Sequence, residues 1–168
     1  YNEKSTKLNN VNIFSNNSAV GIYGIAGDIT FSGDNSLNLS TKGTGIYIEE
    51  ANLNEGNIKL VNKDTDKKDS LVGVYFKDSK SSKNTSNISI DNDTKLIGLY
   101  LNKAKVSNTG EIKATLGSSN TLAFVANEST FTNSGNLTLT SSDSHAIYAN
   151  DGSVENTGNI TVDNEVDN

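Results

Sequence analysis

Short apolar patches separated by polar residues recur along the whole chain at a nearly constant interval. The clearest patch places an aromatic residue between apolar ones, as in GIYI from Gly45 and GLYL from Gly98. Successive aromatic residues are 24, 28, 25, 24 and 24 positions apart, and they are Tyr23, Tyr47, Tyr75, Tyr100, Phe124 and Tyr148. A fixed period of this length indicates a repeat protein, in which each repeat packs against its neighbours.

Two further apolar patches complete each repeat. One follows the aromatic residue by six or seven positions, at Ile29, Leu53, Val106, Phe131 and Val154. The other is a pair of apolar residues that flank a polar one: Leu37 and Leu39, Ile58 and Leu60, Ile88 and Ile90, Ile112 and Ala114, Leu137 and Leu139, Ile160 and Val162, with Val11 and Ile13 as an earlier copy. Alternation with period two is typical of half-buried strands, and every patch is too short for a helix.

These patterns predict an all-β protein, a single-stranded right-handed parallel β-helix or β-solenoid. We expect about six to seven coils of ~24 residues, each with three short strands, because that is the size of one β-helix turn. Right-handed winding is the usual preference for parallel crossovers. The prediction covers residues 1–168 as one segment, with a first partial coil at about 1–20 and a terminal tail at about 164–168.

An Asn-x-Gly or Asn-x-Ser motif precedes the third strand of five coils. Its first residues are predicted to stack at one corner as a structural ladder, and they are Asn54, Asn84, Asn108, Asn133 and Asn156. Asn and Gly tolerate a left-handed backbone, and stacked amides both donate and accept hydrogen bonds between coils. The alternative interpretation is a hairpin turn, which predicts antiparallel neighbours at half this period.

The aromatic residues are predicted to form a column along one face, with their apolar neighbours pointing inward. Gly or Ala stands two positions before most of them, and we expect this small residue to leave room for the ring. Two roles stay open for the column. Stacked rings stabilise neighbouring coils, and an exposed aromatic stack is also a surface that binds sugar rings.

Composition restricts the chemistry of the chain. Only 33% of it is apolar, which alone is compatible with disorder, but the regular apolar rhythm argues against disorder. The formal charge is −6 without a basic stripe, so nucleic acid is not an expected partner. No cysteine and one histidine leave no usual zinc ligand set, and no cofactor is predicted. No apolar run reaches the ~20 residues of a membrane span.

Candidate catalytic groups are few. Acidic residues cluster at Glu49, Glu50 and Glu55, and DNDTK from Asp91 lacks the Gly and distal Glu of a calcium loop. His145 lies in a turn before an aromatic strand, and its neighbours Asp143 and Ser144 do not make a triad with it. We therefore expect neither catalysis nor a metal site.

The longest interval between aromatic residues, from Tyr47 to Tyr75, contains four extra residues. The insertion falls in the charged stretch VNKDTDKKDS, and KDSKSSK follows one strand later. Solenoid insertions bulge outward, and loops carry function more often than scaffold positions do. The sequence predicts either a solvated loop or a polar protein-contact patch made of Asp64, Asp66, Lys67, Lys68, Asp69, Lys77, Lys80 and Lys83.

The repeats GIYI…NEGNIKL, GLYL…NTGEIKA and AIYA…NTGNITV resemble the passenger-domain repeats of large type V autotransporter adhesins, fusobacterial type. The resemblance covers roughly residues 8–164. It implies export through the outer membrane of a Gram-negative bacterium by a β-barrel, a location at the cell surface, and adhesion to host cells or other bacteria. It offers no catalytic motif to transfer.

The expected function is therefore that of a segment of a longer surface adhesin, acting as a β-helical stalk and contributing to receptor binding. Its partner would be a host-cell or bacterial surface protein or glycan, and we expect a monomer. The alternative is a polysaccharide-processing enzyme of the β-helix class, a lyase or tailspike-like depolymerase. Such enzymes need clustered carboxylates, often with Arg and calcium, and this chain has no Arg.

Overall fold

A computed structural model describes residues 4–15, 20–39, 43–62, 70–92, 95–115, 120–140 and 145–163. These ranges contain only β-strands. In chain order they are β1 (Thr6–Asn9), β2 (Asn12–Ser15), β3 (Val20–Ile25), β4 (Ile29–Ser32), β5 (Asp34–Leu39), β6 (Gly43–Glu49), β7 (Leu53–Asn54), β8 (Asn57–Asn62), β9 (Ser70–Lys77), β10 (Ser82–Asn84), β11 (Asn87–Asn92), β12 (Lys95–Asn102), β13 (Lys105–Asn108), β14 (Ile112–Thr115), β15 (Asn120–Asn133), β16 (Leu137–Thr140), β17 (His145–Asn156) and β18 (Ile160–Asp163).

The strands stack into three faces of a parallel β-solenoid. The aromatic face contains β3, β6, β9, β12 and the first halves of β15 and β17. The middle face contains β1, β4, β7, β10, β13 and the second halves of β15 and β17. The third face is the sheet β18-β16-β14-β11-β8-β5-β2. Because β15 and β17 pass through two faces without a break, the last coils have two strands each rather than the predicted three.

Every strand in the described part of the chain pairs in parallel with the equivalent strand of a neighbouring coil. Tyr47 lies opposite Tyr75, and Ile88 lies opposite Ile112. The hairpin interpretation, which requires antiparallel neighbours, is therefore wrong. The solenoid makes about five turns, slightly fewer than the predicted six to seven. The difference lies at the two ends, where partial turns flank the five intervals from Tyr23 to Tyr148.

Inward-pointing apolar side chains from all three faces fill a narrow core. Ile46 and Ile48 from the aromatic face, Phe131 from the middle face and Leu60 from the third face are fully buried. Each coil supplies only a few such residues, because each face contributes a single layer of side chains to the core. This explains how a chain with 33% apolar residues folds around a dry interior.

One of the predicted strand registers was wrong by two residues. The structure pairs Leu37 with Leu60 and with Ile13, so Leu37 and Leu39 are not the counterparts of Ile58 and Leu60. Asn35 takes the place opposite Ile58 and is 3% exposed. Its amide accepts from the backbone of Val11 and donates to three carbonyl oxygens, which satisfies this buried polar group.

The glycines before the aromatic residues have a different role from the predicted one. A Cβ on Gly45 would lie 3.1 Å from a side-chain carbon of Leu60 and 2.7 Å from the carbonyl oxygen of Gly73. Leu60 is in the core, so the small residue gives room to a core side chain and to the next coil. The predicted role, in which this residue makes room for an aromatic ring, is therefore wrong.

A corner with left-handed backbone follows the aromatic residue by three positions in every coil. Its φ angles lie between 49° and 58°. None of the six residues is glycine, and they are Ala26, Glu50, Asp78, Lys103, Asn127 and Asp151. A left-handed conformation costs a non-glycine residue about 1–2 kcal/mol, so the stacked strands on either side impose it. We refer to these six residues as the left-handed corner.

Candidate functional site

Four asparagines form a continuous hydrogen-bonded ladder through the corner before the third face. The Nδ2 of Asn84 donates to Asn108 Oδ1 at 2.6 Å, Asn108 to Asn133 at 2.6 Å, and Asn133 to Asn156 at 2.7 Å. Each amide also donates to the carbonyl oxygen two residues later, as from Asn108 to Gly110 at 2.9 Å. Asn84, Asn108 and Asn133 are buried, so the ladder satisfies polar groups that have no access to water, apart from the Oδ1 of Asn84 at its first end.

Asn54 is not part of this ladder, and that prediction was wrong. The structure pairs Asn84 with Leu53 instead of Asn54, and the Oδ1 of Asn84 is buried with no donor among the described residues. The cause is a different corner in this coil. Glu55 and Gly56 both adopt positive φ, at 54° and 68°, which shifts the chain by one residue before β8.

The predicted reason for Asn at the ladder positions also needs correction. None of the four ladder residues has a positive φ, so the left-handed tolerance of Asn is not used there. Their amides are required for the hydrogen bonds between coils. The glycines that follow three of them are required by space, because a Cβ on Gly135 would overlap the carbonyl oxygen of Gly110.

The aromatic column is a continuous stack along the aromatic face. Successive ring centroids from Tyr23 to Tyr148 are 4.6, 5.2, 4.9, 5.2 and 5.0 Å apart. Five rings are half-buried, and only the terminal Tyr148 is exposed, at 43%. Since each ring packs against its neighbours, the geometry favours the stabilising role over a sugar-binding surface.

Polar partners fix two of the tyrosine hydroxyls. Tyr47 donates to the carboxylate of Glu49 at 3.3 Å, and the Nδ2 of Asn102 donates to the hydroxyl oxygen of Tyr75 at 2.8 Å. Burial raises the pKa of Tyr47 to about 12. Burial also raises the pKa of Tyr100. The hydroxyls of Tyr47 and Tyr100 are therefore protonated at neutral pH and are not candidates for a general base.

The predicted protein-contact patch falls partly outside the described residues, which do not include Asp64, Asp66, Lys67, Lys68 and Asp69. Its remaining members lie at the turn from the aromatic face to the middle face. Lys80 and Lys83 are exposed, and Lys77 forms an ion pair with Asp78 at 3.0 Å. That contact raises the pKa of Lys77. Lys77 ends β9, Lys80 lies in the turn that follows, and Lys83 lies in β10.

The acidic residues do not assemble into a metal site in the described part of the chain. No group of three or more His, Cys, Asp or Glu side chains there has a suitable arrangement. Glu50 belongs to the left-handed corner, and Glu55 lies in the irregular turn before β8. His145 is the first residue of β17 and is exposed, with its ring 5.8 Å from that of Tyr148.

No protein-family model matches this chain, and neither a curated protein sequence nor a solved structure matches it significantly. Among the described residues, no helix is long and apolar enough to cross a membrane. Function is therefore inferred from the geometry of the solenoid and the character of its repeats.

Proposed function

We propose that this chain is a segment of a bacterial surface adhesin. In this proposal a Gram-negative cell exports it through the outer membrane as part of a longer passenger. The segment serves as a β-helical stalk and contributes to binding a receptor on host cells or other bacteria. In this proposal the solenoid is right-handed, the segment is a monomer, and the stalk has no catalytic activity.

The observation that carries this proposal is the parallel stacking of the coils. The aromatic column joins successive coils from Tyr23 to Tyr148, and the asparagine ladder adds a second line of contacts from Asn84 to Asn156. Each added coil lengthens the solenoid by about 4.8 Å and contacts only its neighbours, so length and rigidity grow together. A surface protein that holds a binding site away from the cell needs both properties. The resemblance of the repeats to autotransporter passengers supports the same function.

The contact surface in this proposal lies around Lys77, Lys80 and Lys83. Two of these lysines are exposed on a chain whose net charge is −6, so they form a local positive surface on an acidic protein. Exposed charges of this kind give modest affinity that salt weakens. An acidic patch on a surface protein is the complementary partner.

The experiment compares binding of the labelled protein to epithelial cells and to bacterial cells at low and at physiological salt. We expect binding that falls with salt and that is weakened in the double variant Lys80→Glu/Lys83→Glu. The matched control is Lys4→Glu/Lys7→Glu, which changes the net charge equally at two exposed lysines near β1, three strands away from β10. Equal losses in both variants would show that only net charge matters and would contradict the patch. No binding to either cell type would contradict the adhesin function, and release of new reducing ends from a polysaccharide would contradict a purely structural stalk.

A further inference from the structure

A groove of about 380 Å³ lies on the outer surface of the third face. It crosses strands β5, β8 and β11 and reaches β14. The backbone at Ile58 and Ile88 forms its floor, and the side chains of these two residues are buried on the other side of the sheet. Binding sites for small molecules start at about 300 Å³, so this groove has room for a small ligand.

The concavity has a simple cause in the sequence. One outward-facing column of the third face alternates small and long residues, with Ser36 beside Lys59, Lys59 beside Ser89, and Ser89 beside Lys113. Neighbouring strands are about 4.8 Å apart, so Lys59 and Lys113 stand roughly 10 Å apart with the short Ser89 between them. The two lysine stems thus form walls around a notch, and their methylene groups give those walls apolar surface.

The other side of the groove is a row of planar polar groups. Asn57 and Asn87 line it together with the carboxylates of Asp34 and Glu111. Asn87 donates to Asn57 Oδ1 at 3.2 Å, and the backbone N–H of Glu111 donates to Asn87 Oδ1 at 3.0 Å. These contacts hold the two amides in fixed orientation. Within the described residues, neither Asp34 nor Glu111 forms an ion pair, so both carboxylates can accept hydrogen bonds from a ligand.

The charges that line the groove cancel. Asp34 and Glu111 oppose Lys59 and Lys113, and Lys59 is already paired with Asp91 at 3.2 Å. A charged ligand would be attracted by one of these pairs and repelled by the other. A hydroxyl group both donates and accepts, so a ligand rich in hydroxyls can use the carboxylates as acceptors and the amides and ammonium groups as donors.

We propose that this groove binds a neutral hexose oligosaccharide. The hydroxyls of the sugar bind Glu111, Asn57 and Lys113, and its C–H surface lies against the lysine stems. This deepens the proposed function, on which it rests, because it gives the stalk a glycan ligand at a surface separate from the lysines around Lys80. A single shallow groove with few polar anchors predicts a dissociation constant in the millimolar range.

The test is a titration of the ¹⁵N-labelled protein with lactose, maltose and cellobiose, with 3′-sialyllactose as the charged comparison. We expect at least one neutral disaccharide to shift the side-chain amide signals of Asn57 and Asn87, and to do so more strongly than 3′-sialyllactose. Glu111→Gln should weaken that binding about tenfold, the effect of one lost charge-assisted hydrogen bond. Ser89→Gln should abolish it, because the longer side chain fills the notch.

The matched control is Glu155→Gln, which removes an exposed carboxylate from the middle face and should leave sugar binding unchanged. Far-ultraviolet circular dichroism and thermal melting of each variant separate loss of binding from loss of fold. No shift of the groove signals with any neutral sugar, or equal losses in Glu111→Gln and Glu155→Gln, would overturn the proposal. Cell binding without a sugar response would overturn only the proposal that the groove binds sugar. A sugar response without cell binding would overturn the adhesin function and support the groove as a sugar site.

Discussion

The side-chain amide of Asn108 donates a 2.6 Å hydrogen bond to the Oδ1 of Asn133, although the two residues are 25 positions apart in the chain. Both amides are buried, and each continues the line of hydrogen bonds to the next coil. Removing one member therefore leaves unpaired groups on the coils on both sides of it. The stability of the solenoid should depend on the ladder most at its interior members.

Asn108→Leu should lower the free energy of unfolding by about 1–3 kcal/mol, the usual cost of leaving a buried polar group unsatisfied. Leucine has the same branched side-chain skeleton and bulkier ends, so the change removes hydrogen bonds without opening a cavity. Asn156→Leu is the matched control, since Asn156 is the exposed last member of the ladder and leaves no coil above it unpaired. Urea denaturation measures both, and equal losses for the two variants would contradict a ladder that stabilises through burial.

At the left-handed corner, one substitution of an exposed lysine should increase stability. Lys103 has a φ of 53°, so Lys103→Gly should raise the free energy of unfolding by roughly 0.5–1 kcal/mol, because glycine adopts that backbone without strain. Lys105→Gly is the control, as Lys105 lies in the regular strand β13. There the same substitution should lower stability by a similar amount. A loss of stability in both variants would show that the corner is not strained.

Gly135 should tolerate no side chain. Its Cβ would overlap the carbonyl oxygen of Gly110 in the preceding coil, so Gly135→Ala forces neighbouring coils apart and should cost about 1–3 kcal/mol. Ser134→Ala changes the adjacent exposed residue and should stay within about 0.5 kcal/mol of the parent protein. Thermal melts monitored by circular dichroism compare the two, and a stable Gly135→Ala protein would mean that the coils are farther apart at this corner.

Tyrosine ionisation should weaken the fold at high pH. Burial raises the pKa of Tyr47 from 10.0 to about 12, with Lys77 acting against this effect and Glu49 adding to it. The unfolded chain therefore loses this proton first, so the contribution of Tyr47 to stability is complete below pH 10 and disappears as the pH rises through about 12. Absorbance at 295 nm should detect late-ionising tyrosines, and Tyr47→Phe should contain one fewer of them than the parent protein. Ionisation of all six tyrosines near pH 10 in the folded protein would refute the shift.

The sequence was sufficient to predict the parallel coils and the aromatic stack, because the same residue types return at the same place in each repeat. The left-handed corner could not be predicted in this way. Its members include Ala26, Glu50 and Lys103, which share no chemistry, since the flanking strands rather than the side chains determine the backbone there. A left-handed corner occupied by glycine or asparagine alone would have been visible as a motif.

The register of β5 was predictable from the glycines before it, although the apolar pattern indicated a different register. Gly33 and Gly56 both have positive φ, and counting four residues from each gives Leu37 and Leu60, which the structure pairs. Asn35 broke the apolar alternation at this point, so the pattern favoured Leu39 instead. Asn54 also begins an Asn-x-Gly motif, as the ladder residues Asn108 and Asn133 do. Only the conformation of Glu55 and Gly56 excludes it from the ladder.

The coil-by-coil stacking also determines how the molecule responds to force. A pull applied to the two ends loads the outermost coil first, because each coil is attached only to the next one. When one coil detaches, it releases roughly 80 Å of extended chain while the remaining coils stay folded. Under such a load the solenoid should therefore lengthen in steps of about one coil, each resisted by the backbone pairing and ring stacking between that coil and the next.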